Sequence, residues 1–293
     1  MPKFQDSSDY PLIYNLHAHL IESIECADAA FWDGFVSPAG TMNFNYLGFD
    51  FIPNNAAALA VLASARRQKL HTLVPFHTDQ RMTDVKQLSE SLVDLLSVGW
   101  SGLRVEGATS VEPEVWRHAL IELRRKFPKA LVLLNTVGIP FAKVEETMAG
   151  GFDIAIDSGA WWDGKAPWYL EQHNAIAPRA RSLTFVEDLS IGRLRAQLPG
   201  YSQQELKQAY ISHYQWVLGF SNGTAVSMGF EYASGLNATG GNSNPADSIA
   251  DAASQGLDIT STIAAINASA RQMSLLAEPG WLESVPIELP EAT

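Results

Sequence analysis

The chain has 293 residues, 46% of them hydrophobic and 18% charged, and a formal net charge of −12. That length buries a substantial core as one large domain or two small ones. Such acidity without a basic patch excludes a nucleic-acid or anionic-membrane surface. The single cysteine, Cys26, cannot form an internal disulfide, and the start MPKFQDSSD lacks the layout of a secretory leader. No apolar run approaches the roughly 20 residues that span a bilayer. The expectation is a soluble, cytoplasmic protein.

Short β-rich apolar runs recur along the chain, most followed by a segment of helical periodicity. Strands are predicted in PLIYNLH, MNFNYLGFDF, KLHTLVPFH, SGLRVE, ALVLLN, FDIAID, RSLTFVED and GTAVSMGFE. Helices are predicted in NNAAALAVLASARRQ, DVKQLSESLVDLLSVG, EPEVWRHALIELRRKF, FAKVEETMAG, SQQELKQAYISHYQWVLGFS and the closing stretch from ADSIADAA to MSLLA. FWDGFVSPAGTMNFNY, rich in Gly, Pro and aromatics, is expected to be largely loop. Eight βα units in this length are the arithmetic of an α/β, (β/α)8 TIM barrel. It would occupy residues 10–280, between an extended N-terminus at 1–9 and a tail at 281–293. SGLNATGGNSNPADS, after the eighth strand, is expected to form a loop at the barrel mouth.

In such a barrel the C-terminal ends of the strands carry the chemistry. They would present His17 and His19, His77 and Asp79, Arg104 and Glu106, Asn135, Asp157, Glu187 with Asp188, and Glu231. Trp161 and Trp162 follow the sixth strand, and an indole face stacks well against the C–H face of a sugar.

Five blocks, in order, resemble those of the α-amylase superfamily, glycoside hydrolase family 13, in its bacterial branch near the maltosyltransferases. They are YPLIYNL, GLRVEGA, GFD with DSGAWWD, LTFVED with Arg193-Leu194, and AVSMGFEYA. The resemblance runs from about Tyr10 to Tyr232. It implies retaining glycoside cleavage or transfer, with a carboxylate nucleophile after strand four and a carboxylic acid after strand five. A His-Asp pair after strand seven would grip the sugar.

Position by position, this chain departs from that pattern. Arg104 is kept, but Glu106 stands in the nucleophile's place, one methylene longer; displacement by about 1 Å costs on the order of a hundredfold in rate. Asn135 stands in the acid's place, and an amide has no proton to give at neutral pH. Leu189 and Ser190 replace the His-Asp pair, leaving Glu187 and Asp188 as nearby acids. His77 retains the histidine that hydrogen-bonds sugar in that family. The long excursion after strand three and a C-terminal β-sandwich are not expected.

His17 and His19 point the same way if both lie on a strand. With His77 they could form a zinc site of a metal-dependent hydrolase. The leading expectation is instead a minimal barrel that binds a sugar or α-glucan as a pseudoenzyme, or whose glycoside chemistry is rebuilt from Glu106, Glu187 and Asp188. Its ligand contacts would come from His17, His77, Arg104, Asn135, Asp157, Trp161, Trp162 and Glu231. No cofactor is implied, zinc entering only under the hydrolase alternative. The partner would be a small sugar or oligosaccharide, with neither nucleic acid nor membrane, and self-association is left open. A third alternative is a non-catalytic scaffold subunit.

Overall fold

A computed structural model describes residues 10–79, 82, 84–188, 192–235, 253–254, 256–272 and 282–283. Its eight strands are β1 (Leu12–Leu16), β2 (Tyr46–Phe49), β3 (His71–His77), β4 (Gly102–Glu106), β5 (Leu131–Asn135), β6 (Ile154–Ile156), β7 (Arg181–Phe185) and β8 (Thr224–Ser227). All neighbours are parallel, and β8 pairs with β1, with Leu12 opposite Thr224, to close a barrel in sequence order. Each strand falls within the segment predicted for it, so the (β/α)8 reading holds.

The helices outside the barrel are α1 (Ala29–Thr41), α2 (Asn55–Arg67), α3 (Val85–Ser97), α4 (Pro113–Lys126), α5 (Phe141–Met148), α6 (Pro167–Ile176), α7 (Gln203–Phe220) and α8 (Thr260–Ala270). Two of them correct the sequence reading. α1 occupies part of the stretch expected to be loop. Asp28 caps it by accepting the Ala30 N–H, and Trp32, Val36 and Ala39 form a buried stripe. Pro38 within the helix costs about 3 kcal/mol, but burying Trp32 and Val36 offsets it at roughly 1.5–3 kcal/mol each. α6 was not anticipated because its buried stripe, Tyr169, Gln172, His173 and Ile176, is half polar. The spacing is helical although the hydrophobicity is not.

Period two along each strand separates two cores. Ile13, Tyr46, Leu73, Leu133, Ile154, Ile156, Leu183, Phe185 and Ala225 fill the barrel interior. The alternate residues, among them Leu12, Tyr14, Leu47, Phe49, Val74, Leu103, Val105, Val132, Leu134 and Ala155, pack outward in the larger core that includes the helices. Residues 1–9, residues 236–248 of the predicted mouth loop, and most of 281–293 lie outside the described residues. No helix among those described is long and apolar enough to cross a membrane.

Candidate functional site

The same alternation decides which polar side chains reach the mouth. Counting from the interior residues, Asn15 and His17 continue the inward row of β1, Asp50 that of β2, and His77 that of β3. Arg104 and Glu106 continue β4, Asn135 continues β5 and Ser227 continues β8. The register sets His77 beside Glu106.

Glu106 is held from both sides. The Arg104 Nε donates to Oε1 at 2.8 Å and the Asn135 Nδ2 donates to Oε2 at 2.7 Å. The Asn135 carbonyl oxygen in turn accepts the Val137 N–H at 3.1 Å, which fixes which end of the amide faces the carboxylate. Gly107 turns the chain away immediately afterwards at φ 70°, a left-handed conformation that favours glycine. The Thr78 hydroxyl holds that turn, 2.5 Å from the Gly107 carbonyl. Arg104, Glu106 and Asn135 are all partly open to solvent, and His77 is exposed.

Beside this trio lies a second hydrogen-bonded group. The His17 Nδ1 is 2.9 Å from Asp50 Oδ2, and its Nε2 is 2.9 Å from the Ser227 hydroxyl. Asp188, in an antiparallel bridge with Gly192, brings Oδ2 to 3.9 Å from the same Nε2. Asp50 Oδ1 also accepts the Ala18 N–H at 2.8 Å. Burial pushes the Asp50 carboxyl up, but the hydrogen bond and charge of His17, the Ala18 amide and the Arg104 guanidinium together hold it below the usual carboxylate range. Asp50 and Ser227 were not anticipated. The signal was present in the parity of YLGFD and AVS, each of which ends on an inward position.

The three histidines of the zinc alternative do not converge. Both ring nitrogens of His17 are engaged, His19 is exposed in the short 3-10 turn Ala18–Leu20, and His77 stands on β3, separated from β1 by β2. Burial and the neighbouring His17 push the His19 ring below its ordinary pKa. Among the described residues no three His, Cys, Asp or Glu side chains gather to hold a metal ion.

Three anticipated acids sit elsewhere. Glu187 is sealed against Arg193, itself fully buried: Nη1 donates to Oε1 at 2.5 Å and the Leu194 N–H to Oε2 at 2.8 Å. Arg193 also donates to the Met228 carbonyl at 2.8 Å, tying the loop after β7 to the end of β8. Burial pushes the Glu187 carboxyl up against the pull of Arg193 and the Leu194 amide, and at 1% exposure it does not open to the mouth. Asp157 follows Ile156 and therefore faces outward. It accepts from Thr184 at 2.7 Å, Tyr169 at 2.8 Å and the Gly159 N–H at 2.9 Å, and burial pushes it up to about 6. Glu231 is likewise buried, accepting from the Tyr14 hydroxyl at 2.7 Å and the Gly229 N–H at 3.0 Å; burial pushes it up to about 6. Both anchor the wall rather than line the mouth.

The two tryptophans part company as well. Trp162 stacks on Tyr169 at 4.8 Å and on Trp216 at 5.6 Å, with its indole N–H donating to the Ala166 carbonyl. It anchors its loop to α6 and α7. Trp161 is 51% exposed. Leu189 and Ser190 lie outside the described residues.

No family model matches the chain. The α-amylase of Lactobacillus plantarum superposes with a TM-score of 0.60 at 13% identity, over 92% of this chain and 81% of that one. The Anoxybacillus α-amylase gives a TM-score of 0.67 at 10% identity, over 93% and 81%. The fold is that of the α-amylases. The cyclic α-maltosyl-(1→6)-maltose hydrolase of Arthrobacter globiformis shares this α-amylase fold, with a TM-score of 0.65 at 11% identity over 92% and 84%. In sequence, the chain is similar to the alpha-1,4-glucan:maltose-1-phosphate maltosyltransferase of Burkholderia pseudomallei (strain K96243), 23% identical over 137 residues. That match spans 47% of this chain and 12% of the relative. The α-amylase resemblance, near the maltosyltransferases, is thus supported from both sides.

Proposed function

We propose that this barrel binds a sugar or α-glucan at its mouth without the retaining glycoside chemistry that its resemblance to the α-amylase superfamily implies. The observation that carries the reading is the grip on Glu106. In a working pair, one carboxylate attacks the anomeric carbon while a neighbouring acid protonates the leaving oxygen. Here the neighbour is the Asn135 amide, bonded directly to Glu106, and Arg104 holds the other oxygen. Neither partner has a proton to deliver to a leaving group at neutral pH. What remains is a fixed set of acceptors and donors of the kind that recognises hydroxyl groups, with Trp161 as an exposed stacking face. Rebuilt chemistry would have to draw on Glu106 and Asp188, because Glu187 is spent on Arg193.

Calorimetric titration with a series of maltosaccharides tests the reading, alongside an assay of their cleavage and of transfer from maltose 1-phosphate. The expected result is saturable binding, weakened by Glu106→Gln, with no turnover. Turnover that disappears in Glu106→Gln would overturn it.

A further inference from the structure

We propose that Asp50 is the mouth's principal acceptor of ligand hydroxyls and selects uncharged sugars over phosphorylated ones, with His17 and Ser227 as its positioning residues. This rests on the sugar-binding reading above and adds a residue and a ligand class to it.

Ser227, His17 and Asp50 are hydrogen-bonded in the order of a nucleophilic triad, 2.9 Å at each link. Access argues against that use. Ser227 is 0% exposed and His17 2%, so neither hydroxyl nor imidazole meets a substrate, whereas the Asp50 side chain is 31% exposed. The open end of the chain is its carboxylate, and the two sealed members act on it. His17, braced by Ser227, fixes Oδ2 while the Ala18 N–H fixes Oδ1.

A carboxylate offers about four lone-pair sites. With one bond made to each oxygen, Asp50 keeps acceptor capacity on its solvent side. The titratable and charged groups facing it are the imidazoles of His17 and His19 after β1 and the guanidinium of Arg104 from β4, which also bonds Glu106. Two oriented carboxylates flanking Arg104 suit O–H donors and repel a phosphate dianion. An ionised acceptor makes the stronger class of hydrogen bond, and the lowered pKa of Asp50 keeps it ionised.

The experiment titrates maltotriose, maltose and maltose 1-phosphate into the wild type, Asp50→Asn and His17→Gln, with circular dichroism to confirm folding. In the wild type, maltotriose binds and maltose 1-phosphate binds more weakly than maltose. Asp50→Asn weakens maltotriose at least about tenfold, as loss of a hydrogen bond to a charged group does, and narrows the discrimination against the phosphate. His17→Gln removes the largest of the interactions that oppose burial at Asp50, so the pH below which maltotriose binding fails moves upward. A purely structural His17 would leave that pH unmoved. If Asp50→Asn does not fold, the pH limb in His17→Gln decides alone. A wild type that binds no maltosaccharide overturns the sugar-binding reading and this inference with it. A wild type that binds while Asp50→Asn is unchanged, or whose limb stays in place in His17→Gln, overturns this inference only.

Discussion

Asn135 donates its amide to Glu106 at 2.7 Å, across the ends of two adjacent parallel strands. A carboxylate and an amide at that distance are mutually satisfied, whereas two carboxylates could not both remain ionised there. Asn135→Asp therefore raises the pKa of one member of the new pair. A raised folded-state pKa contributes stability that is complete below the unfolded value and lost as pH rises through the folded one. Relative to wild type, the variant should lose on the order of 1–2 kcal/mol between acid and neutral pH, about 2–5 °C in Tm. Thermal melts at pH 4.5 and 8 check this, and equal shifts at both would refute it.

The wall carboxylates give a second pH dependence. Asp157 and Glu231 stand at about 6 in the fold because burial opposes their ionisation, against roughly 4 when unfolded. The sign is the same: their contribution is fullest below about pH 4 and declines as pH rises through about 6. Asp157→Asn and Glu231→Gln should each flatten the stability-versus-pH curve between pH 4 and 7 by roughly 2–3 kcal/mol. Denaturant titrations across that range measure it. A curve that keeps its slope would show that these groups titrate normally.

Arg193→Met leaves Glu187 buried with its charge uncompensated, and breaking a buried pair on one side costs about 3–5 kcal/mol. The double change Arg193→Met with Glu187→Gln removes the charge together with its partner and should recover a large part of that loss. Urea midpoints of the two variants make the comparison. Equal destabilisation would mean that the bond to the Met228 carbonyl, rather than the ion pair, carries the loop.

Trp162→Ala should cost about 3 kcal/mol, because the ring is stacked between Tyr169 and Trp216. Trp161→Ala should leave stability within about 0.5 kcal/mol, as surface changes generally do, and weaken maltosaccharide binding. Melting curves with calorimetry separate the two effects. Unchanged affinity in Trp161→Ala would remove that ring from the binding surface.

The alternation of apolar runs and helical periods made the barrel legible, including every strand. In α1 and α6 composition conceals the spacing: Trp32, Val36 and Ala39 keep a helical interval despite Pro38, and α6 buries Gln172 and His173 among its apolar residues. At the site, Arg104, Glu106 and Asn135 were readable as inward residues closing their strands. Asp157 was not, because a polar residue after an apolar strand reads as a mouth residue, whereas Ile156 already holds the inward place and turns Asp157 outward. The parity of YLGFD marks Asp50 as inward, but its partner, His17, 33 positions away, is not legible from sequence. Glu187 could not be distinguished from a catalytic acid until fully buried Arg193 was seen beside it.

The placement of Asp157 one step past Ile156 constrains which changes this barrel tolerates. Deleting a single residue within β6 would exchange the two, driving a carboxylate among Leu133, Leu183 and Phe185 while stripping Tyr169 and Thr184 of their acceptor. The length of β6 is thereby fixed. New specificity at the rim has to arise by exchanging side chains in place, or by lengthening the connections beyond each strand, where an added residue flips nothing.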